Sequence, residues 1–120
     1  MSKTILVVDD EKDVLELLVT KLSSAQYDVL TADNGLAAVT IAKVKKPDLI
    51  ILDILMPGMD GAETAEQLKN DPRTKDIPII FLTCLVTKAE EEKHIKGGRY
   101  FMAKPYASDE LLEVIAKHLA

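Results

Sequence analysis

A chain of 120 residues, 48% hydrophobic and carrying only five glycines and five prolines, has the size and composition of one compact domain with its own core. A formal net charge of -5, from 15 Lys and Arg against 20 Asp and Glu, argues against a nucleic-acid-binding surface, which needs clustered basic residues. The single cysteine, Cys84, excludes an internal disulfide and suits a reducing compartment. No apolar run reaches the roughly 18 residues that a bilayer span requires, so the sequence reads as cytoplasmic, with no membrane partner.

In chain order, the first apolar run is Thr4–Val8, of strand length, and it runs directly into Asp9 and Asp10, with Glu11 and Asp13 close behind. Helical spacing follows over 12–25, where Leu15, Leu18, Val19 and Leu22 share one face and Leu17 lies nearly opposite, flanked by Val14 and Lys21. A second strand is expected at 28–32, a turn or helix end at Asn34-Gly35, and a helix over 35–45 that stops at Lys46-Pro47. The third strand, 49–52, ends at Asp53 and leads into the loop ILMPGMDG, where Pro57, Gly58 and Gly61 bend the chain and Asp60 suits the N-cap of a helix over 61–70. The fourth strand, 79–82, ends at Thr83. After it, 87–96 carries only Val86, Ala89 and Ile95 as apolar anchors around it, which predicts a short or mobile helix, and His94 in it has no second histidine or cysteine nearby with which to bind a metal. Gly97-Gly98 precedes a fifth strand at 100–103, then Lys104-Pro105 and a last helix over 107–119.

Five alternations of strand and helix predict an α/β fold, an open parallel sheet with helices on both faces, in which ligands bind at the carboxyl ends of the strands. Those ends carry Asp9 and Asp10, Asp53, Thr83 and Lys104, so three carboxylates, a hydroxyl and an ammonium are expected on one rim. Taken singly, each has a plain structural reading. Asp10 with Asp13 imitates a capping box, Asp53 can be an ordinary strand end, and Lys104 can be a solvated loop lysine. Taken together, adjacent carboxylates repel one another and raise each other's pKa unless a cation joins them, and a metal ion is the obvious candidate.

VVDD at 7–10, LDILMPGMDG at 52–61, FLTC at 81–84 and KPY at 104–106 resemble the signature of two-component response-regulator receiver domains, in order and at close to family spacing over nearly the whole chain. The resemblance implies a flavodoxin-like (βα)5 three-layer sandwich, its five-stranded parallel sheet in the order 2-1-3-4-5. It implies one receiver domain over 1–120 with no effector domain in these residues. It implies Asp53 as phosphoacceptor, Asp9 and Asp10 as the acidic pair, Thr83 as switch hydroxyl, Lys104 as phosphate-binding lysine and Pro105 as a cis proline. Magnesium, a hard cation suited to carboxylate oxygens, would be held by Asp10 and Asp53, by Asp9 through water, and by the backbone carbonyl of Leu55. The aromatic switch position holds Phe101 where tyrosine is more usual, so switching there would rest on packing alone; Tyr100 falls on the opposite face of the strand.

The expected function is a phosphorylation-dependent switch that accepts a phosphoryl group from a histidine kinase or phosphotransfer protein and acts on an output protein that the sequence does not name. It would catalyse its own phosphorylation and dephosphorylation without being a metabolic enzyme. Two other classes compete: a magnesium-dependent aspartyl phosphatase or phosphotransferase, which would need a substrate pocket that 120 residues leave no room for, and an interaction module without phosphorylation, against which the complete site speaks. Val14, Leu17 and Lys21 form a candidate docking patch for the phosphoryl donor. The resemblance implies that the side chains two residues after Asp53 and two after Thr83, here Leu55 and Leu85, flank the water approach to Asp53; neither can orient a water, which predicts a persistent phosphoryl group, and Cys84 adds bulk where receivers usually place alanine or glycine.

Overall fold

The computed structural model describes residues 3–53, 61–83, 95–96, 99–103 and 109–119. Its elements in chain order are β1 (Thr4–Val8), α1 (Lys12–Ser24), β2 (Asp28–Ala32), α2 (Gly35–Lys45), β3 (Leu49–Asp53), α3 (Gly61–Lys69), β4 (Ile79–Thr83), β5 (Ile95–Lys96), β6 (Arg99–Ala103) and α4 (Asp109–Leu119). Strands β1 to β4 form one parallel sheet in the order β2-β1-β3-β4, and β6 continues it in parallel beside β4.

Alternation along the strands divides the core into two layers. Ile5 and Val7, Leu49 and Ile51, and Ile80 pack on one side with Leu18 and Leu22 of α1 and Leu111, Val114 and Ile115 of α4. Leu6 and Val8, Ile50 and Leu52, and Ile79 and Phe81 pack on the other with Ala38, Val39 and Ala42 of α2 and Ala65 and Leu68 of α3. β1 and β3 are buried on both faces. That is why they read as continuous apolar runs with no polar alternation.

Local chemistry sets the helix ends. Asn34 is the N-cap of α2, its side-chain oxygen accepting from Ala37 N–H at 2.8 Å. Lys46 closes that helix in the left-handed region (φ 47°, ψ 63°), its N–H bonded to the Ala42 carbonyl, and Pro47 prevents continuation. The turn between α3 and β4 is pinned from inside and out. Thr74, itself buried, donates its hydroxyl to the Leu68 carbonyl at 2.6 Å. Asp71 takes a two-point contact from the Arg73 guanidinium (3.1 and 3.0 Å) and lies 3.5 Å from Lys43 on α2. The hydrogen bond from Arg73 holds the Asp71 carboxyl well below the usual carboxylate range and pushes the Arg73 guanidinium up.

Two expectations need correction. The helix expected over 87–96 falls outside the described residues except for its last two, and these form β5, antiparallel to β6 with Ile95 opposite Tyr100 and Lys96 opposite Arg99. The sheet therefore has a sixth, two-residue strand at its edge and is not purely parallel; four helices, not five, are present among the described residues. The physical reason lies in Gly97-Gly98, since pairing Lys96 with Arg99 leaves two glycines between them, the loop composition that favours a tight hairpin. The second correction concerns Asp10 and Asp13. The N-cap of α1 is Glu11, with no side-chain cap hydrogen bond, so no capping box forms.

Candidate functional site

The carboxyl ends of β1 and β3 lie side by side, because Val8 pairs with Leu52 in the parallel register and the next residue of each chain is an aspartate. Asp53 is the last residue of β3 and sits opposite Leu82 of β4. Its neighbours on that strand hold it at the end of a fully buried segment, and it is itself 4% exposed. Asp9 is anchored twice. Its backbone N–H donates to the Ala32 carbonyl at the end of β2 (3.1 Å), and its Oδ1 accepts the Glu11 N–H at 2.9 Å. That second bond is a local aspartate turn, which folds the chain back into α1 and leaves Asp9 1% exposed while Asp10 reaches solvent.

Asp9, Asp10 and Asp53 each offer a carboxylate oxygen, and the three oxygens lie within 4.8 Å of one another. Three carboxylates this close repel one another, and burial adds a desolvation cost for Asp9 and Asp53. The donor set suits a hard cation. Carboxylate oxygens within 4.8 Å of one another are close enough to share a cation such as magnesium, which takes carboxylate and water oxygens as ligands.

The rest of the expected site is reached in part. Thr83 ends β4 on the same rim, one residue beyond the rung that Leu82 shares with Asp53, and it pairs with Ala103, the residue before Lys104. Phe101 lies within β6 opposite Phe81. Lys104, Leu55, Asp60, Cys84, Leu85, His94 and Pro105 fall outside the described residues. Of the docking residues, Leu17 is 48% exposed, as its place on the helical wheel predicts. Lys21 is half-buried, and Val14 packs against the core layer of α1 and α4, which narrows the exposed apolar surface on this flank to Leu17. Sequence reasoning missed the backbone partners of Asp9, namely the Ala32 carbonyl and the Glu11 N–H. Main-chain groups carry no residue-type signal, although an aspartate two residues before a helix N-cap is a familiar turn former.

Comparison with known proteins bears on the same residues. The profile of the response regulator receiver domain matches 5–116. The phosphate regulon transcriptional regulatory protein PhoB of Pseudomonas aeruginosa is 41% identical over 116 residues, covering 93% of this chain and 49% of that protein. Protein PilH of the same organism is 36% identical over 120 residues, covering 97% of each. The solved structure of the chemotaxis protein CheY4 of Vibrio cholerae superposes with a TM-score of 0.87 at 28% identity, covering 99% of this chain and all of that one. Against the larger curated relatives the chain spans about half their length or less. None of the described helices is long and apolar enough to cross a membrane.

Proposed function

Because this chain belongs to the response regulator receiver domain family, the phosphoryl-accepting signalling modules of two-component systems, we propose that Asp53 is its phosphoacceptor. The observation that carries the proposal is the meeting of Asp9, Asp10 and Asp53 within 4.8 Å at the carboxyl ends of β1 and β3. A carboxylate oxygen of Asp53 attacks phosphorus, the bond from phosphorus to the donor's imidazole nitrogen breaks, and the electron pair leaves with the imidazole. The product is an acyl phosphate on Asp53.

The chain's own groups prepare this step. Burial at the end of β3 restricts the Asp53 side chain, and the Glu11 and Ala32 contacts anchor Asp9 beside it. Asp10 and Asp53 would hold magnesium directly and Asp9 through water, with the Leu55 carbonyl completing the protein's share. When bound, magnesium supplies positive charge opposite the phosphoryl oxygens. Lys104 neutralises a second phosphoryl oxygen and Thr83 donates a hydrogen bond to a third. Thr83 and Phe101 form the switch, with β6 as the fifth strand of the family's order 2-1-3-4-5. The 120 residues act as one receiver unit in the cytoplasm, catalysing only its own phosphorylation and dephosphorylation. Its donor is a histidine kinase or phosphotransfer protein.

Incubation with acetyl phosphate and magnesium, followed by intact mass, tests the reading. Wild type should gain one phosphoryl group, and Asp53→Asn, folded by circular dichroism, should gain none. A folded wild type that takes up no phosphoryl group, or an Asp53→Asn variant that labels as fully as wild type, would overturn it.

A further inference from the structure

Helix α2 is apolar on two opposite sides. Gly35, Ala38, Val39 and Ala42, at i, i+3, i+4 and i+7, are buried. On the outward side Leu36, Thr40 and Val44, at i, i+4 and i+8, are exposed, and Ala37 and Ile41 beside them pack against the core. Val44 is 71% and Leu36 66% exposed, the two most exposed large apolar residues among those described, while Ala37 and Ile41 are half-buried on the flank. Thr40, in the middle of the face, donates its hydroxyl to the Leu36 carbonyl at 3.1 Å, so its polar group is already satisfied within the helix. A surface helix is ordinarily polar on its outward side, and two exposed branched apolar residues, two turns apart on either side of Thr40, depart from that pattern.

We propose that this face is a self-association surface, on which α2 packs antiparallel against α2 of a second copy about a two-fold axis near Thr40. Charge selects the occupant. Asp33 is exposed just before the helix, and Lys45 and Lys46 are exposed at its other end. A two-fold at Thr40 sets Leu36 opposite the partner's Val44 and brings Asp33 beside the partner's Lys46, so that acid meets base at both ends. The two helix dipoles also run antiparallel, which is favourable. A parallel pairing would set like charges together at each end. The inference rests on α2 alone and is independent of phosphoryl transfer at Asp53.

Eleven residues make a helix of about 16 Å, so the interface is at the low end of the size range for specific contacts, and a dissociation constant on the order of 100 µM is expected. Sedimentation equilibrium of the full chain, over concentrations from about a tenth to about ten times that value, should show mass rising from monomer toward dimer. Val44→Glu and Leu36→Glu should each weaken the dimer by at least about tenfold. Asp33→Lys and Lys46→Glu should each weaken it roughly threefold, and the two together should restore wild-type association. All four positions are exposed or peripheral, so circular dichroism should be unchanged in every variant. A monomer at every concentration would overturn the proposal and leave the face to a different partner. A dimer that the glutamate substitutions leave intact, or one that the charge swap does not restore, would also overturn it.

Discussion

Ile51 and Asp53 are two residues apart on the same strand, face the same side of the sheet and are both buried, yet they stand in opposite relation to stability. Ile51 sits in the layer built with α1 and α4 and gains from every contact there. Asp53 sits at the rim, among carboxylates whose oxygens lie within 4.8 Å, and the bare fold must hold it against their charge. The interior of the sheet is built for stability. Its carboxyl-terminal rim sets three carboxylates together instead, and on the proposed function it trades stability for a site.

Removing side chains from each region is the sharpest way to break this contrast. Ile51→Ala should destabilise the domain by about 2–5 kcal/mol, read from denaturant unfolding, because a fully buried branched side chain leaves a cavity. Asp53→Asn should instead raise metal-free stability, by on the order of 1 kcal/mol, because it keeps the shape and removes one of three like charges. If the asparagine variant were as destabilised as the alanine one, the rim would be an ordinary part of the core.

A carboxylate far from the rim provides a control of opposite sign. Asp71 is held below its usual pKa by Arg73, so its contribution is fully present above the unfolded-state value of about 4 and is lost as pH falls through the lowered folded-state value. The stability difference between wild type and Asp71→Asn should therefore be constant near neutrality and shrink toward zero in acid. A difference that grows on acidification would reverse the assignment. The smallest effect belongs to the exposed surface of α1. Leu17→Asp should change stability by no more than about 0.5 kcal/mol yet slow transfer from a phosphohistidine donor while leaving acetyl phosphate labelling intact. Equal slowing with both donors would remove Leu17 from the docking surface.

Much of this molecule is legible in its sequence, for identifiable reasons. Strands buried on both faces, such as β1 and β3, are continuous apolar runs bounded by aspartates, so their positions and the acidic rim at their ends follow together. Asn34 and Lys46-Pro47 mark the ends of α2 by local chemistry alone. The hairpin of β5 and β6 was not recognised, although Gly97-Gly98 carried the signal; the polar run before it, with apolar residues at helical spacing, outweighed two glycines. The start of α1 at Lys12 follows from the helical spacing, but its cap does not. Asp9 binds the Glu11 N–H, which moves the cap one residue beyond Asp10, and a side-chain-to-backbone bond of this kind depends on where β1 ends. Val14 likewise looked exposed on a helical wheel, but the wheel does not show how far the core layer of α1 and α4 reaches round the helix.

The claim that the rim is a cation-dependent site is tested most directly by thermal unfolding with magnesium and with chelator. At about ten times its dissociation constant, a cation bound only by the folded state adds about 1.4 kcal/mol. That should raise the midpoint of wild type by several degrees, and Asp10→Asn and Asp53→Asn should gain little or nothing. No magnesium shift in wild type, or the same shift in all three proteins, would contradict the account.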